Sequence, residues 1–246
     1  MRKILIALLA AVAVLSSCAK TDYSYDIADG IISEIRDNIS GVSINYAFDG
    51  VLEFIPDDPK AGLVFYPGAY VDYRCYAQLM AALAKEGFLC ILPSPSLDLA
   101  LLNLSSAVGL SRQYPEAQKW YIGGHSLGGA SAAMCLASHP DDFEGLVLLA
   151  AYSTKDLSRS GKEVISIYGS NDGVLNMKKY NEYRKNLPED FIETVIEGGN
   201  HGYFAIYGHQ DGDGDATISR SEQIRQTASA ISRLLDEEKH GETDPT

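Results

Sequence analysis

Ser126 stands at the centre of Gly124-His125-Ser126-Leu127-Gly128, a Gly-x-Ser-x-Gly pattern. An apolar run from Trp120 to Gly123 precedes it, and a stretch rich in small residues follows, from Ser126 to Ser138. A serine on such a strand-to-helix elbow is lifted to the top of a sheet, and flanking glycines leave room for the tight turn. No Lys-Ser or Lys-Thr pair follows, as a phosphate-binding loop would require. A serine hydroxyl is a weak nucleophile at neutral pH. It needs a base within hydrogen-bond reach and an acid that orients the base. On elbows of this kind the chain order is serine, acid, histidine. Gly169-Ser-Asn-Asp172-Gly173 follows the apolar run Val164 to Tyr168 and holds one carboxylate, so Asp172 is the expected acid. His201 follows the last expected strand through Gly198-Gly199-Asn200 and is the expected base, with His209 as its rival. His125 adjoins the serine but is expected to point elsewhere; His139 and His240 fall at a helix end and in the tail. A tetrahedral intermediate needs two backbone N–H donors. Leu127 is expected to supply one and Ala69, in Tyr66-Pro67-Gly68-Ala69-Tyr70, the other.

The elements around these residues alternate between strand and helix. Val42, Ile44 and Tyr46 alternate, Asp49-Gly50 supplies a turn, and Val51 to Ile55 resumes, which predicts a hairpin. Strands are then predicted at 62–66, 88–92, 120–123, 146–150, 164–168 and 191–196. Helices are predicted around Tyr76 to Leu83, through Leu97, Leu101, Leu104 and Val108, over 126–138 and 174–187, and through Ile224, Ala228, Ile231 and Leu235. Apolar strands without polar alternation, separated by amphipathic helices, imply a mostly parallel sheet of about eight strands covered on both faces. Only residues 151–162 separate the sixth and seventh strands, too few for a cap domain.

From about Gly62 to Gln223 the chain resembles small bacterial α/β-hydrolases close to the dienelactone hydrolases. Tyr66-Pro67-Gly68, Gly124-His-Ser-Leu-Gly-Gly129, Tyr168-Gly-Ser-Asn-Asp172 and Gly198-Gly-Asn-His201 carry the resemblance. It implies the α/β-hydrolase fold and an esterase or lactone-type hydrolase that uses no cofactor. Dienelactone hydrolases have cysteine where this chain has Ser126, so the chemistry is implied rather than the dienelactone substrate. The expected reaction is cleavage of a small-molecule carboxylic ester through an acyl-enzyme. The alternatives are a peptidase or acyltransferase with the same three residues, or a catalytically silent binding protein.

Asp211-Gly-Asp213-Gly-Asp215, with Glu222 at the twelfth position, echoes a calcium loop. The sixth position is Ala216 where such a loop has glycine, and Ser219 with Glu222 fits a helix-capping box, so no metal is expected. Tyr66, Tyr70, Tyr73, Tyr203 and Tyr207 crowd the same loops, as pocket walls or as packing at strand ends.

The chain begins with Arg2 and Lys3, then an apolar run from Ile4 to Leu15 of signal-peptide length, too short for a comfortable membrane span. Leu15-Ser16-Ser17-Cys18 resembles the bacterial lipobox. Residues 1–17 are therefore expected to be a lipoprotein signal peptide, Cys18 the lipidated residue, 18–27 a tether and 28–246 the folded domain. The tether would allow roughly 30 Å of reach at about 3.3 Å per residue. More than one acyl chain gives stable anchoring where one gives only marginal binding. Ala19 rather than aspartate follows the cysteine, which favours the outer membrane where a cell has one. Arg2 and Lys3 leave with the signal, so 20 basic residues become 18 against 33 acidic ones and the formal charge moves from −13 to −15. Such a surface repels phosphate backbones and anionic headgroups, which excludes nucleic acid as a partner and leaves the N-terminal lipid as the membrane contact. Cys75, Cys90 and Cys135 match neither a disulfide framework nor a zinc site, and Cys90 and Cys135 are expected to be buried thiols.

Overall fold

In the computed structural model the described residues are 23–47, 50–94 and 107–235. Residues 1–22, including the expected signal peptide and Cys18, lie outside them, as do Asp49 of the hairpin turn and Leu97, Leu101 and Leu104 of one expected helix.

Eight strands form one sheet: β1 (Val42–Tyr46), β2 (Leu52–Pro56), β3 (Ala61–Tyr66), β4 (Phe88–Leu92), β5 (Trp120–His125), β6 (Gly145–Leu149), β7 (Glu163–Gly169) and β8 (Ile192–Ile196). Their spatial order is β1-β2-β4-β3-β5-β6-β7-β8. Within the sheet β2 alone runs against the others, paired antiparallel to β1 and β4, and every pairing from β4 to β8 is parallel. Every residue of β3, β4, β5 and β6 is buried, as strands covered on both faces must be.

Side chains alternate across each strand, so successive residues feed two separate cores. Leu63 and Phe65 of β3 join one, with Leu79, Met80 and Leu83 of α2 (Ala77–Glu86) and Ile224, Ala228 and Ile231 of α5 (Arg220–Ile231). Val64 and Tyr66 join the other, with Ala132, Ala133 and Leu136 of α3 (Leu127–Ser138). Between β6 and β7, residues 151–162 hold neither helix nor strand, so no cap domain is inserted there.

Two elements differ from expectation. Helix α1 (Tyr23–Asn38) begins inside the stretch assigned to the tether. Its Ile32 is buried in the core, and Ile35 and Ile39 pack beside it, at the three- and four-residue spacing of a helix face. Helix α4 (Met177–Tyr183) starts later than Val174. The backbone N–H groups of Val174 and Leu175 are bonded to the Asp172 carboxylate, so the chain turns into a helix only after Asn176, whose side chain caps Lys179 N.

Candidate active site

The C-terminal ends of β3, β5, β7 and β8 carry the residues singled out above. At the end of β5 the chain turns sharply into α3 through Ser126, which has φ 54° and ψ −121°. A non-glycine residue at positive φ is strained and persists only where its surroundings enforce it. Here Ser126 N donates to Leu149 O of β6 at 2.9 Å, and Ser126 O accepts from Ala130 N at 3.2 Å. A Cβ at Gly128 would overlap the carbonyl oxygens of Tyr66 and Pro67, so glycine there lets the start of α3 lie directly on the loop after β3. Tyr70 and Ala150, after β3 and β6, are the other non-glycine residues with positive φ among those described.

After β7, Asp172 Oδ1 accepts from Val174 N at 2.9 Å and Leu175 N at 2.8 Å. Its Oδ2 lies 2.9 Å from His201 Nδ1, and each of the two side chains is 1% exposed. The loops bearing them are tied together: Ser170 N donates to Ile196 O at 3.0 Å and Asn171 N to Gly199 O at 2.8 Å. An imidazole that gives its Nδ1 proton to a carboxylate keeps a lone pair on Nε2. His201 Nε2 is buried and has no hydrogen-bond partner among the described residues, so the bond from the Ser126 hydroxyl is not formed in this state. Such bonds commonly tighten only when substrate is present. The rival base, His209, is exposed and away from Asp172's hydrogen bonds.

Leu127 N opens α3, and neither it nor Ala69 N donates a hydrogen bond among the described residues. Gly68 N, one residue earlier, is occupied, because it donates to the Tyr76 hydroxyl at 2.9 Å. Of the N–H groups on this turn, those of Ala69 and Tyr70 are thus without an acceptor among the described residues, while Gly68 N is taken.

His125 is more deeply involved than its sequence position suggests. It is 1% exposed. Its Nδ1 lies 2.8 Å from the Tyr76 hydroxyl, and its ring centroid is 4.5 Å from that of His201 and 5.5 Å from that of Phe204. Burial pushes the Tyr76 phenol upward, so it stays protonated. Its oxygen accepts from Gly68 N and also bonds His125 Nδ1, so one hydroxyl joins the loop after β3 to the His125 ring. Burial first, and the adjacent His201 second, hold His125 well below the usual 6.5, so it does not compete with His201 for a proton. Nothing in the sequence joins Tyr76 to a histidine 49 positions away.

Ser219 caps α5 by accepting from Glu222 N at 3.1 Å, and Glu222 itself pairs with Arg225. Asp211 and Asp215 are exposed, and no cluster of three metal-binding side chains occurs among the described residues. Tyr66 is buried with its oxygen accepting from Ala107 N at 3.2 Å. Tyr73 and Tyr207 pack against a core, and Arg220 lies over the Tyr203 ring at 4.7 Å. Tyr70 remains half-buried beside Ala69. Cys75, Cys90 and Cys135 are buried and form no disulfide among the described residues, and burial raises the Cys135 thiol to about 11 and Cys90 further still.

A mostly parallel eight-stranded sheet with a strained serine elbow, and an acid–histidine pair at the same strand ends, defines a hydrolase architecture. The chain belongs to the alpha/beta hydrolase family, which it matches over residues 62–225. No curated protein sequence matches it. Among solved structures it is similar to Est1E from Butyrivibrio proteoclasticus, with TM-score 0.58, 13% identity, and 80% of this chain and 99% of that one covered. It is similar to the dienelactone hydrolase from Anabaena variabilis, with TM-score 0.56, 15% identity, and coverage of 79% and 99%. A predicted CIB-like hydrolase from Thermoplasma acidophilum gives TM-score 0.56, 17% identity, and coverage of 79% and 100%. At these identities the likeness is one of fold.

Proposed function

We propose that the protein is a serine esterase that cleaves small-molecule carboxylic esters through an acyl-enzyme. The observation that carries this reading is the buried Asp172–His201 pair, 2.9 Å apart, beside the elbow that presents Ser126. Ser126 Oγ attacks the ester carbonyl as His201 Nε2 takes its proton. Asp172, held by its two backbone donors, keeps the imidazole oriented and stabilises the imidazolium. Leu127 N and Ala69 N bind the oxyanion. His201 returns the proton to the departing alcohol, and water, activated by the same base, releases the acid and frees the serine.

The substrate preference follows from what surrounds the serine. Residues 151–162 add no helix or strand after β6, so among the described residues no cap inserted there supplies apolar surface for a long acyl chain. Each buried methylene contributes about 0.8 kcal/mol, so affinity stops rising once a chain outgrows its pocket. The reading therefore includes short acyl groups. It also includes export and lipidation at Cys18, with anchoring at the cell envelope, supported by Arg2, Lys3, the apolar run 4–15 and Leu15-Ser-Ser-Cys18. Among the described residues no helix is long and apolar enough to cross a membrane.

The test is a panel of p-nitrophenyl esters from acetate to dodecanoate, run beside matched anilides and with Ser126→Ala as control. The expected kcat/KM peaks between acetate and butyrate, falls by octanoate, and vanishes in the variant. A rise through dodecanoate below micelle concentrations makes the protein a lipase. Faster cleavage of anilides than of esters makes it a peptidase.

A further inference from the structure

The acidic loop that resembles a calcium site has a different occupant. Asp213 Oδ2 accepts from Gly202 N at 2.8 Å. Its Oδ1 accepts from His201 N at 3.1 Å, Gly173 N at 3.3 Å and Gly214 N at 2.9 Å. One carboxylate thus collects backbone N–H groups from three loops: His201 itself and its successor, the residue after Asp172, and its own neighbour. The carboxylate accepts four backbone hydrogen bonds, three at Oδ1 and one at Oδ2. The loops meet too closely for side chains: a Cβ at Gly173 would overlap Gly212 O, and one at Gly214 would overlap Asn171 O. Asn171 Nδ2 donates to Asp215 O and Asn200 Nδ2 to Gly214 O, each at 2.9 Å, so the outer loop is stitched to the acid loop on one side and the base loop on the other.

We infer that Asp213 is a positioning residue that sets the distance and angle between Asp172 and His201. The inference rests on the proposed use of that pair in catalysis. A neutral side chain does not replace the carboxylate. An asparagine turns its NH2 either toward Gly202 N–H or toward the three amides on the other oxygen, so at least one donor faces a donor. Released, His201 N and Gly173 N recruit water and the two loops shift apart. A displacement of about 1 Å in a reacting geometry can lower the rate by about 10²-fold. The flanking Asp211 and Asp215 are exposed, and their carboxylates accept no hydrogen bond among the described residues, so they serve as charge-matched controls.

The experiment compares Asp213→Asn and the smaller Asp213→Ser with Asp211→Asn and Asp215→Asn. It reads melting temperature, the rate constant for fluorophosphonate labelling, kcat and KM for p-nitrophenyl acetate, and the low-field NMR resonance of the His201 Nδ1 proton. In the folded Asp213 variants labelling and kcat should fall about 10- to 100-fold, with KM within about twofold of wild type. The low-field resonance should shift or broaden, and both controls should behave as wild type. Wild-type labelling, kcat and resonance in a folded Asp213 variant overturn the inference. So does loss of fold in both Asp213 variants with the controls intact, which assigns the residue to stability alone. If wild-type Ser126 takes no label, the proposed esterase fails instead, and the Nδ1 resonance still reads the Asp213 effect independently.

Discussion

Tyr76→Phe deletes one oxygen and strips two buried groups of their partner. Tyr76 is 0% exposed, Gly68 N donates to its hydroxyl at 2.9 Å, and the hydroxyl bonds His125 Nδ1 at 2.8 Å. The phenylalanine ring fills the same space, so the change is almost purely one of hydrogen bonding. Each buried polar group left unpaired costs about 1–3 kcal/mol. Removing the hydroxyl's own desolvation offsets part of the total, which leaves an expected loss of about 2–4 kcal/mol. In a domain of this size each kcal/mol lowers Tm by about 2–4 °C, so the shift should be roughly 4–16 °C. Urea unfolding followed by Trp120 fluorescence measures the same loss, since Trp120 is the one tryptophan in the chain and is 4% exposed. Activity should fall as well. Removing an oxyanion donor outright costs about 10²–10³ in kcat, and loosening the turn that carries Ala69 should cost about tenfold. A Tm shift below about 2 °C together with an unchanged kcat would refute the role given to this hydroxyl.

Three further outcomes are expected. In the unfolded chain His125 titrates near 6.5, whereas folded it is held well below that value by burial and by His201. Its contribution to stability is therefore complete above pH 6.5 and is lost as pH falls, by up to about 2 kcal/mol between pH 7 and 5. Urea curves at the two pH values should show a shallower dependence in His125→Asn, and equal slopes would contradict the assignment. EDTA should leave both Tm and ester hydrolysis unchanged, because the Asp213 carboxylate already accepts four backbone donors; a Tm rise with calcium that Asp213→Asn abolishes would reverse that reading. Wild-type protein expressed in a bacterium should partition into detergent, and Cys18→Ser should not. A mature N-terminus at another residue, found by mass spectrometry, removes the lipid anchor.

What was legible in the sequence was what depends on local pattern. The apolar central strands announced a sheet covered on both faces, and all eight expected strands formed, the hairpin pair included. The contact between Asp172 and His201 was legible because this architecture places a carboxylate after one strand and a histidine after the next, and the two side chains do meet. What was hidden depends on contacts between distant segments. The pairing of Tyr76 with His125 leaves no mark in spacing, and His125 appeared only as a neighbour of the serine. Helix α1 was obscured because Gly30 and several acidic residues dilute the Ile32, Ile35 and Ile39 face that packs on the core. The 211–215 loop imitated a metal site because a carboxylate that gathers amides and one that gathers a cation both need a tight, glycine-rich turn. Helix α4 began late because Asp172 claims the amides that would have opened it.

The central claim is that Ser126 is the activated nucleophile. A fluorophosphonate probe applied to the folded protein, followed by peptide mass spectrometry, tests it most directly. A single adduct on the peptide carrying Ser126, lost in Ser126→Ala and slowed by orders of magnitude in His201→Ala and Asp172→Ala, is the predicted result. An adduct on any other residue, or full labelling after His201→Ala, would contradict it.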